Sequence, residues 1–505
     1  MRERITFVQK EGDSIEPSAL KVDGSGLSGP EVKAVREDRL TFALDELPAE
    51  LKALLEGVNQ LHIRWVSPIA YEAVSPLLAR LPPGFHLFYT PGSDTSINPC
   101  PLLNKAFGTV SCSSPAESFT TLPTDRFTHS TTHQFYQPLD SLSAFTQFAK
   151  SQLCPPSSPR SCGTRLNSLT KASQLDISYD AISHTLRLTS LWPYGPQSLS
   201  ATLLSPSIRT EVGIISTANP KTLEPHEIGI SGLLTVLGQS TAPSPTLFSF
   251  PSRHRDAASS FTSKFLSPTG LHPTLQLSIS SPSPPSKSPN PSTCRLHGYF
   301  TLPKTIFPDR HQLSDPLFLS SKNLSSVRYI TPNIDLEAPE YVTPTWGSSL
   351  LLELSPPPSQ GSQGSGDSKG EEWTAQIPLH LRYLSPSLTG YRTAEVPYPA
   401  LFWACTAEEG TKFPTNPFEK DKVGYDGLFG ERTVFWHLTP RPGDGTNGRL
   451  MNEVKVPVLD LTKADWVNAL TGVVVALGFG WVVVKLLGVA FAGGGKKVDK
   501  QKKTQ

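Results

Sequence analysis

Residues 60–66, QLHIRWV, show a pattern that recurs along much of the chain. Leu61, Ile63 and Trp65 alternate with His62 and Arg64, which would place the apolar side chains on one face of a strand and the His and Arg on the other. Further runs of similar length are rich in β-branched and aromatic residues and end near Pro, Gly or Ser. They are RITFVQ (4–9), GFHLFYTP (84–91), TLRLTSLW (185–192), SLLLEL (349–354), IPLHLRYL (377–384) and TVFWHL (433–438).

Helix signals are few: before the C-terminal region, only residues 45–57 and 139–153 favour helices. Many short strands with turn residues between them predict a mainly β protein that contains an antiparallel β-sandwich. One internal echo, LHIRWVSP (61–68) and LHLRYLSP (379–386), is identical at five of its eight positions. It favours two related β-domains in tandem, although so short a match also arises by chance.

The composition limits the class of function. Lys and Arg total 45 against 44 Asp and Glu in 505 residues, without the basic excess of a nucleic-acid-binding protein. The 49 prolines favour turns and extended segments over long helices. Ser/Pro-rich stretches at 151–163, 241–293 and 355–372 carry little apolar surface, so we expect loops or linkers there.

These features predict the domain organisation. The N-terminal MRERITFVQKEGD lacks the apolar h-region of a signal peptide, so we expect it to form the first strand of a folded domain. The predicted order is a β-rich region (1–240), a Ser/Pro-rich linker (241–293), a second β-domain (294–460) with a low-complexity loop (355–372), a transmembrane helix (466–492) and a Lys-rich tail (493–505).

The cysteines bear on the cellular compartment. They show no CxxC pair and no zinc-finger spacing, so no metal site is predicted. An even number fits disulfides in an oxidising compartment, but the sequence does not assign the pairing. A short loop closed by Cys154 and Cys162 and free thiols in loops both remain open. The six are Cys100, Cys112, Cys154, Cys162, Cys294 and Cys405.

Residues 466–492, WVNALTGVVVALGFGWVVVKLLGVAFA, are apolar on every face and contain one charge, Lys485. A helix of about 20 apolar residues crosses the ~30 Å hydrocarbon core of a bilayer, so this run predicts a membrane span rather than a buried core helix. Lysines predominate after the span, whereas the segment before it is balanced in charge. The positive-inside rule therefore predicts a cytosolic C-terminus and a lumenal position for the bulk of the chain.

One edge of the predicted span carries small side chains at spacings of four or eight residues: Gly472, Ala476, Gly480 and Gly488. Such a stripe allows helix backbones to approach closely inside a membrane. It predicts a helix-packing face for a partner, although glycine is also common in helices that only anchor a protein.

No group of residues predicts catalysis, a cofactor or a metal. GSGLSG (24–29) matches a dinucleotide-binding fingerprint, but Pro30 follows at once, so we expect a surface turn. For an enzyme the candidates are His62, Arg64, His380 and Arg382, residue types that are more often structural or partner-facing on a strand. Asn323 begins the sequon NLS in a polar stretch, which predicts N-glycosylation if this region is lumenal.

The C-terminal half resembles the PIG-X family in the order of five segments before a single span. They are LPKTIFPDRHQL (302–313), IDLEAPEY (334–341), PLHLRYLSP (378–386), VPYPALFWAC (396–405) and VKVPVLD (454–460). The N-terminal MRERITFVQ and the length are similar to the fungal branch, the protease-B-nonderepressible (Pbn) proteins. The resemblance covers residues 300–490 well and 1–290 more loosely.

The resemblance implies a non-catalytic subunit that stabilises the ER GPI alpha-1,4-mannosyltransferase I, with no cofactor and no catalytic residues of its own. The implied partner is a multispanning, dolichol-phosphate-mannose-dependent enzyme that adds the first mannose to the GPI precursor. The alternative is a general ER-lumenal, chaperone-like factor that helps several client proteins to fold or mature. An enzyme in its own right is a third hypothesis.

The chain ends in KKTQ, in which Lys503 and Lys502 stand third and fourth from the C-terminus. This is the dilysine spacing by which coat proteins return membrane proteins to the ER. It is an address that a receptor reads and not an anchor, and it requires a cytosolic C-terminus. We therefore predict ER retrieval, with an ordinary Lys-rich cytosolic flank as the alternative.

Overall fold

The computed structural model describes residues 1–92, 98–122, 132–154, 159–203, 205, 207–218, 223–224, 226–332, 334–357, 372–414, 416–443 and 445–492. Over these residues strands far outnumber helices, which confirms the prediction of a mainly β protein. The chain divides into two compact units. The first comprises Met1–Arg382 and Ala394–Val454, and the second comprises Tyr383–Thr393 and the chain from Lys455 onward.

A first sheet contains twelve strands of the described N-terminal half, in the order β12-β11-β10-β1-β3-β9-β8-β4-β5-β7-β6, with β2 paired to β3. The strands are β1 (Arg2–Gln9), β2 (Lys21–Val22), β3 (Gly26–Ala43), β4 (Val58–Val66), β5 (Gly84–Pro91), β6 (Thr120–Thr121), β7 (His133–Gln137), β8 (Gln174–Asp180), β9 (Thr185–Thr202), β10 (Arg209–Ala218), β11 (Glu227–Val236) and β12 (Ser244–Pro251).

The later strands form a second sheet of eight strands, in the order β17-β18-β15-β22-β23-β13-β14-β19, and two small pairs, β16 with β20 and β21 with β24. Their bounds are β13 (His254–Phe265), β14 (Thr274–Ser280), β15 (Arg295–Pro303), β16 (Ile306–Phe307), β17 (Leu324–Ile330), β18 (Gly347–Leu354), β19 (Glu372–Pro378), β20 (His380–Leu381), β21 (Tyr391–Pro397), β22 (Ala400–Thr406), β23 (Thr433–Pro440) and β24 (Met451–Pro457).

The α-helices of the described residues are mostly short. They are α1 (Ala49–Glu56), α2 (Cys100–Phe107), α3 (Pro115–Ser118), α4 (Ser143–Leu153), α5 (Pro159–Asn167), α6 (Pro316–Ser321) and α7 (Ala464–Ala492). The helices expected at 45–57 and 139–153 correspond to α1 and α4. The GSGLSG segment forms a turn and the start of β3, held by Asp23 Oδ1, which accepts from the backbone N–H groups of Ser25 and Gly26.

The alternation in β4 explains why the first sheet has two different faces. Leu61, Ile63 and Trp65 lie in an apolar core that also contains side chains of α2 and α4. On the opposite face, Phe88 of β5 shares a second core with residues of the other sheet, including Phe402. The two large sheets therefore pack against each other through apolar side chains, which confirms a sandwich-like arrangement.

Among the strand pairs whose register the structure describes, most are antiparallel, as predicted, but two are parallel. The N-terminal strand β1 lies between β3 and β10 and is parallel to β10, with Phe7 opposite Ile214. In the second sheet, β13 is parallel to β23. Each parallel pair joins segments that are far apart in sequence, so no local pattern predicts it.

The prediction that residues 241–293 form a linker is wrong. This segment contributes β12, β13 and β14 to the two sheets. Leu275, Leu277 and Ile279 are fully buried and alternate with polar residues at a period of two, which suffices for a strand despite the many Ser and Pro residues nearby. The change from the first sheet to the second occurs between Pro251 and His254.

The predictions for the other two low-complexity stretches, 151–163 and 355–372, fare differently from each other. Residues 151–163 were also expected to be a loop, but their described part belongs to α4 and α5. Most of the loop predicted at 355–372 lies outside the described residues.

In the tandem echo, LHIRWVSP belongs to the long central strand β4, whereas LHLRYLSP contains only the two-residue strand β20. The duplication stays a prediction.

The structure decides between disulfides and free thiols for the cysteines. It contains the disulfides Cys100–Cys112, Cys154–Cys162 and Cys294–Cys405, so none of the six cysteines is a free thiol. The third joins Cys294, the residue before β15, to Cys405 near the end of β22. Three disulfides are typical of proteins that fold in an oxidising compartment.

Candidate functional site

The four residues considered for catalysis lie in two separate settings. His62 and Arg64 lie on β4 of the first sheet, whereas His380 belongs to β20 and Arg382 follows it. Among the residues that the structure describes, no group of three or more His, Cys, Asp or Glu side chains is placed to hold a metal ion. The geometry therefore does not gather these candidates into one reactive site.

Arg64, Asp176 and Lys420 form a buried ion network on the polar face of β4. The Arg64 guanidinium and the Lys420 ammonium contact the two carboxylate oxygens of Asp176, the latter at 2.6 Å. Lys420 also donates to the side-chain oxygen of Gln174. Burial would raise the pKa of Asp176, but the two cations hold it below its ordinary value. Because each charge has a partner, the network is suited to fixing the fold.

A second, partly buried contact, between His62 and Asp421, continues this network. His62 Nδ1 lies 3.3 Å from Asp421 Oδ2. Burial opposes ionisation of Asp421, but its contact with His62 lowers the pKa of Asp421 below the usual range. Lys420 and Asp421 are neighbours in the segment between β22 and β23, so His62 and Arg64 together hold that segment against the first sheet.

A third buried cluster contains His254, Asp426 and His437. His254 Nδ1 lies 2.9 Å from His437 Nε2, and His254 Nε2 lies 3.1 Å from Asp426 Oδ2. Arg253 lies 3.0 Å from the other oxygen of Asp426. Burial, and then the neighbouring His254, lower the pKa of His437 well below its ordinary value. The cluster links the parallel strands β13 and β23 and was not predicted from the sequence.

A cavity of about 400 Å³, here called the motif cleft, gathers three of the five family-like segments. Its other walls come from β6, from residues 342–345 and from the start of β18. The family-like residues that line it are Lys304, Ile306 and Phe307 of 302–313, Ile334, Asp335 and Ala338 of 334–341, and Arg382 of 378–386.

Arg382 is the central polar group of the motif cleft. Its guanidinium donates to the backbone oxygen of Ala338 at 2.7 Å and lies 4.5 Å from the centre of the Phe307 ring. Burial lowers the pKa of Arg382. Its Nε is buried and makes no hydrogen bond within the described residues. Arg382 therefore ties the three segments together and retains a donor.

The other charged groups of the cleft, Lys304 and Asp335, are already engaged, whereas the buried Ser348 hydroxyl makes no hydrogen bond within the described residues. Lys304 pairs with Glu340 at 2.9 Å, and Asp335 Oδ1 accepts from the N–H groups of Glu337 and Ala338. These two hydrogen bonds lower the pKa of Asp335. Val342 is exposed at the rim. The cleft is thus an apolar groove with few polar contacts, which suits binding of a partner segment better than chemistry.

A larger cavity of about 460 Å³ lies against β1, β3 and β9 of the first sheet. Leu40, Phe42 and Trp192 form much of its apolar wall. Glu3, one of three acidic residues in the lining, pairs with Arg165, and burial raises the pKa of Glu3. Because Glu3 is paired with Arg165, it does not present a free carboxylate to this cavity.

Helix α7 is long and apolar enough to cross a membrane, and none of its most apolar stretch is buried within the protein. A Cβ atom added at Gly472 or Gly480 would meet nothing within 4 Å, so this edge is open to another helix. The same holds at Gly488, but at 3.6 residues per turn Gly488 is rotated about 160° from Gly472. Ala476 completes the edge. The Lys485 ammonium lies 4.6 Å from the centre of the Trp481 ring, one turn earlier in the helix.

Of the other predicted sites, the structure describes Asn323 but not the two C-terminal lysines. Asn323 is exposed in the turn between α6 and β17, and its side-chain N–H donates to the backbone oxygen of Thr374 at 2.7 Å. Its glycosylation stays a prediction. Lys502 and Lys503 lie outside the described residues, so the retrieval signal also stays a prediction.

The motif cleft was missed in the sequence because its walls are separated by about 260 residues of chain, from β6 to Arg382. A signal was nevertheless present. The segments 302–313, 334–341 and 378–386 all carry the resemblance to the family.

Comparisons with known proteins agree with the resemblance. A family model described as PIG-X / PBN1 matches residues 268–487. Protein pbn1 of Neurospora crassa is 60% identical over 97% of this chain and 95% of its own length. Protein PBN1 of Gibberella zeae is 46% identical over the full length of both chains.

Among solved structures, the zebrafish Fcho1 Mu homology domain with bound Eps15 peptide aligns over 91% of this chain and 93% of its own chain. The identity is 8% and the TM-score 0.14, too low to carry an argument about fold.

Proposed function

Because the chain belongs to the PIG-X/PBN1 family, we propose that it is a non-catalytic subunit that stabilises a multispanning mannosyltransferase in the ER membrane. The family name refers to GPI-anchor biosynthesis. The step we propose is the transfer of the first mannose by GPI alpha-1,4-mannosyltransferase I, which the partner would catalyse. The chain itself would supply no cofactor and no catalytic residue.

The open small-residue edge of α7 carries this proposal. Gly472, Ala476 and Gly480 leave the helix backbone accessible, whereas a helix that only anchors needs no such edge. Close helix packing inside a bilayer is driven by van der Waals contact, because lipid tails are as apolar as leucine. A partner helix of the multispanning enzyme is the occupant we propose.

The motif cleft is the second contact that we propose, on the lumenal side. Three segments typical of the family meet there, and an apolar groove with an unused Arg382 donor suits an extended loop of a partner. A loop backbone carbonyl would satisfy Arg382 Nε, and an apolar side chain would contact Ile306 and Phe307.

Deletion of the chain tests the proposal against its alternative. We expect the abundance of the multispanning mannosyltransferase and the transfer of the first mannose to fall together. A general ER-lumenal chaperone-like factor predicts instead that several unrelated lumenal proteins lose abundance. The stabiliser proposal is wrong if both the enzyme level and the mannosylation remain normal.

A lumenal position is supported by the three disulfides, and it gives a prediction at Asn323. We expect the protein from wild-type cells to shift to higher mobility on endoglycosidase treatment, because Asn323 is exposed in the sequon NLS. The Asn323→Gln variant should migrate at the deglycosylated position without treatment. The Asn59→Gln variant is the control, since Asn59 begins no sequon. A shift that persists in Asn323→Gln would contradict the assignment.

The C-terminal lysines give a prediction about retrieval. We expect the Lys502→Ser/Lys503→Ser variant to leave the ER and acquire Golgi glycan modification when the partner enzyme is absent. The matched control is Lys496→Ser/Lys497→Ser, which removes the same charge outside the dilysine position. If the first variant remains in the ER without the partner, the dilysine signal is not what retains the protein.

A further inference from the structure

The second unit contains a loop, Tyr383–Thr393, that is fastened directly to the chain before α7. The Ser387 N–H donates to the Leu459 oxygen at 3.1 Å, and the Leu461 N–H donates back to the Ser387 oxygen at 3.0 Å. The Val458 N–H donates to the Gly390 oxygen at 2.9 Å. Residues 383–393 and 455–463 are called the collar below.

The collar loop has a defined shape of its own. The Arg392 guanidinium donates to the backbone oxygens of Ser385 and Pro386 at 2.6 and 3.0 Å. The Ser387 hydroxyl donates to the Tyr391 oxygen at 2.9 Å. Gly390, at φ +71°, makes the turn that brings the loop against Asp460. Backbone groups at the base of the loop are therefore satisfied internally.

The outer surface of the collar is unusually apolar. Tyr383 and Leu388 are 67% and 72% exposed, and Tyr391 is half-exposed. Leu459 and Leu461 extend this surface along the segment that enters the helix. An exposed patch of this composition on one small unit indicates a surface that another phase or molecule covers.

The position of the collar on α7 identifies what covers it. The helix has 29 residues, and about 20 of them suffice for the hydrocarbon core. Its first turn and the residues just before it therefore lie at the level of the lipid headgroups, which occupy several ångströms on each side of the core. The bridge between Ser387 and Asp460 places the loop at that level, four residues before the helix begins.

The chemistry of the collar fits a headgroup layer. Tyrosine and tryptophan concentrate at this level because their rings combine an apolar body with a polar edge. Tyr383, Tyr391 and the exposed Trp466 of α7 provide such rings. The Lys455 ammonium lies 4.5 Å from the centre of the Tyr391 ring. The Lys463 ammonium pairs with Asp460 at 3.5 Å, and its side chain is 75% exposed, which leaves it within reach of lipid phosphates.

We propose that the collar loop is a membrane-interface anchor whose Leu388 and Tyr391 side chains enter the phospholipid headgroup layer beside the N-terminal end of α7. The chain then contacts the bilayer through two elements, the helix and the loop. The proposal rests on α7 crossing a membrane and does not depend on the identity of the partner enzyme.

The test uses the full-length protein in nanodiscs of phosphatidylcholine and phosphatidylserine. Because all six native cysteines are in disulfides, the single variant Leu388→Cys can be labelled with the fluorophore NBD without background. Tyr391→Cys is a second reporter in the loop. Ile182→Cys is the matched control, because Ile182 is 90% exposed in the β8–β9 turn of the first unit. Unchanged melting midpoints would show that all three variants fold.

We expect NBD at 388 and 391 to emit at shorter wavelength, to resist quenching by aqueous iodide several-fold better than NBD at 182, and to be quenched by headgroup spin-labelled lipid. Iodide quenching at 388 equal to that at 182 would overturn the proposal. So would protection from iodide that appears only after a membrane extract supplies other proteins, or protection without quenching by the spin-labelled lipid, since a protein would then cover the loop.

Discussion

The Asp176→Ala variant is expected to lose about 3–5 kcal/mol of unfolding free energy, the usual cost of removing one partner from a buried ion pair. Asp176 is the acceptor for both Arg64 and Lys420, whose charged groups are almost fully buried. Without the carboxylate, two cations remain close together in an environment that penalises charge. Guanidinium unfolding of the purified protein, followed by tryptophan fluorescence, measures the loss.

Two comparisons isolate the cause of this loss. The triple variant Arg64→Met/Asp176→Leu/Lys420→Met removes all three charges and should recover most of the stability, because apolar replacement of a buried network is often neutral. The Asp45→Ala variant breaks the exposed pair with Lys52 and should have no detectable effect. An Asp176→Ala protein as stable as the wild type would contradict the buried network.

Acid should act through the same carboxylate. The folded-state pKa of Asp176 is lowered, so its stabilisation is fully present above the unfolded-state pKa of about 3.9 and is lost as the pH falls through the folded-state value. The wild type should therefore lose its stability advantage over Asp176→Ala only below about pH 4. An advantage that disappears near neutral pH would point to another group.

The second large effect is expected in the membrane. The Gly480→Leu variant places a large side chain on the small-residue edge of α7 and should prevent close approach of the partner helix. We expect at least about tenfold less mannosyltransferase to co-purify, which corresponds to about 1.4 kcal/mol of association free energy.

Gly478→Leu is the matched control for this effect. Gly478 lies two residues earlier, on a different side of the helix from Gly480, and neither position has a neighbour within 4 Å of an added Cβ. The two variants therefore introduce the same side chain at depths only about 3 Å apart, and they differ in the face of the helix that carries it. Equal loss of the partner in both variants would contradict a role for the small-residue edge.

The strands and the membrane helix follow from local patterns, and these were predictable. A period of two in QLHIRWV and an apolar run of sufficient length at 466–492 require no knowledge of distant residues. The same logic failed at 241–293, where composition was given more weight than the alternation of Leu275, Leu277 and Ile279 with polar residues. Few apolar residues at the correct spacing are enough to build a buried strand.

Features formed by distant segments were not predictable from one sequence. The parallel pairing of β1 with β10, the Asp176 network and the motif cleft each join residues that are one hundred or more positions apart. Local periodicity contains no information about such contacts. The resemblance to a family supplied the segments of the cleft, but only the fold shows that Phe307, Ala338 and Arg382 meet.

The most direct test of the account measures the half-life of the multispanning mannosyltransferase in cells that lack this chain and express the wild type, Gly480→Leu or Gly478→Leu. We predict that the wild type and Gly478→Leu restore a long half-life, and that Gly480→Leu, although present at normal level in the ER, does not. A mannosyltransferase half-life that is the same with and without the chain would contradict the account.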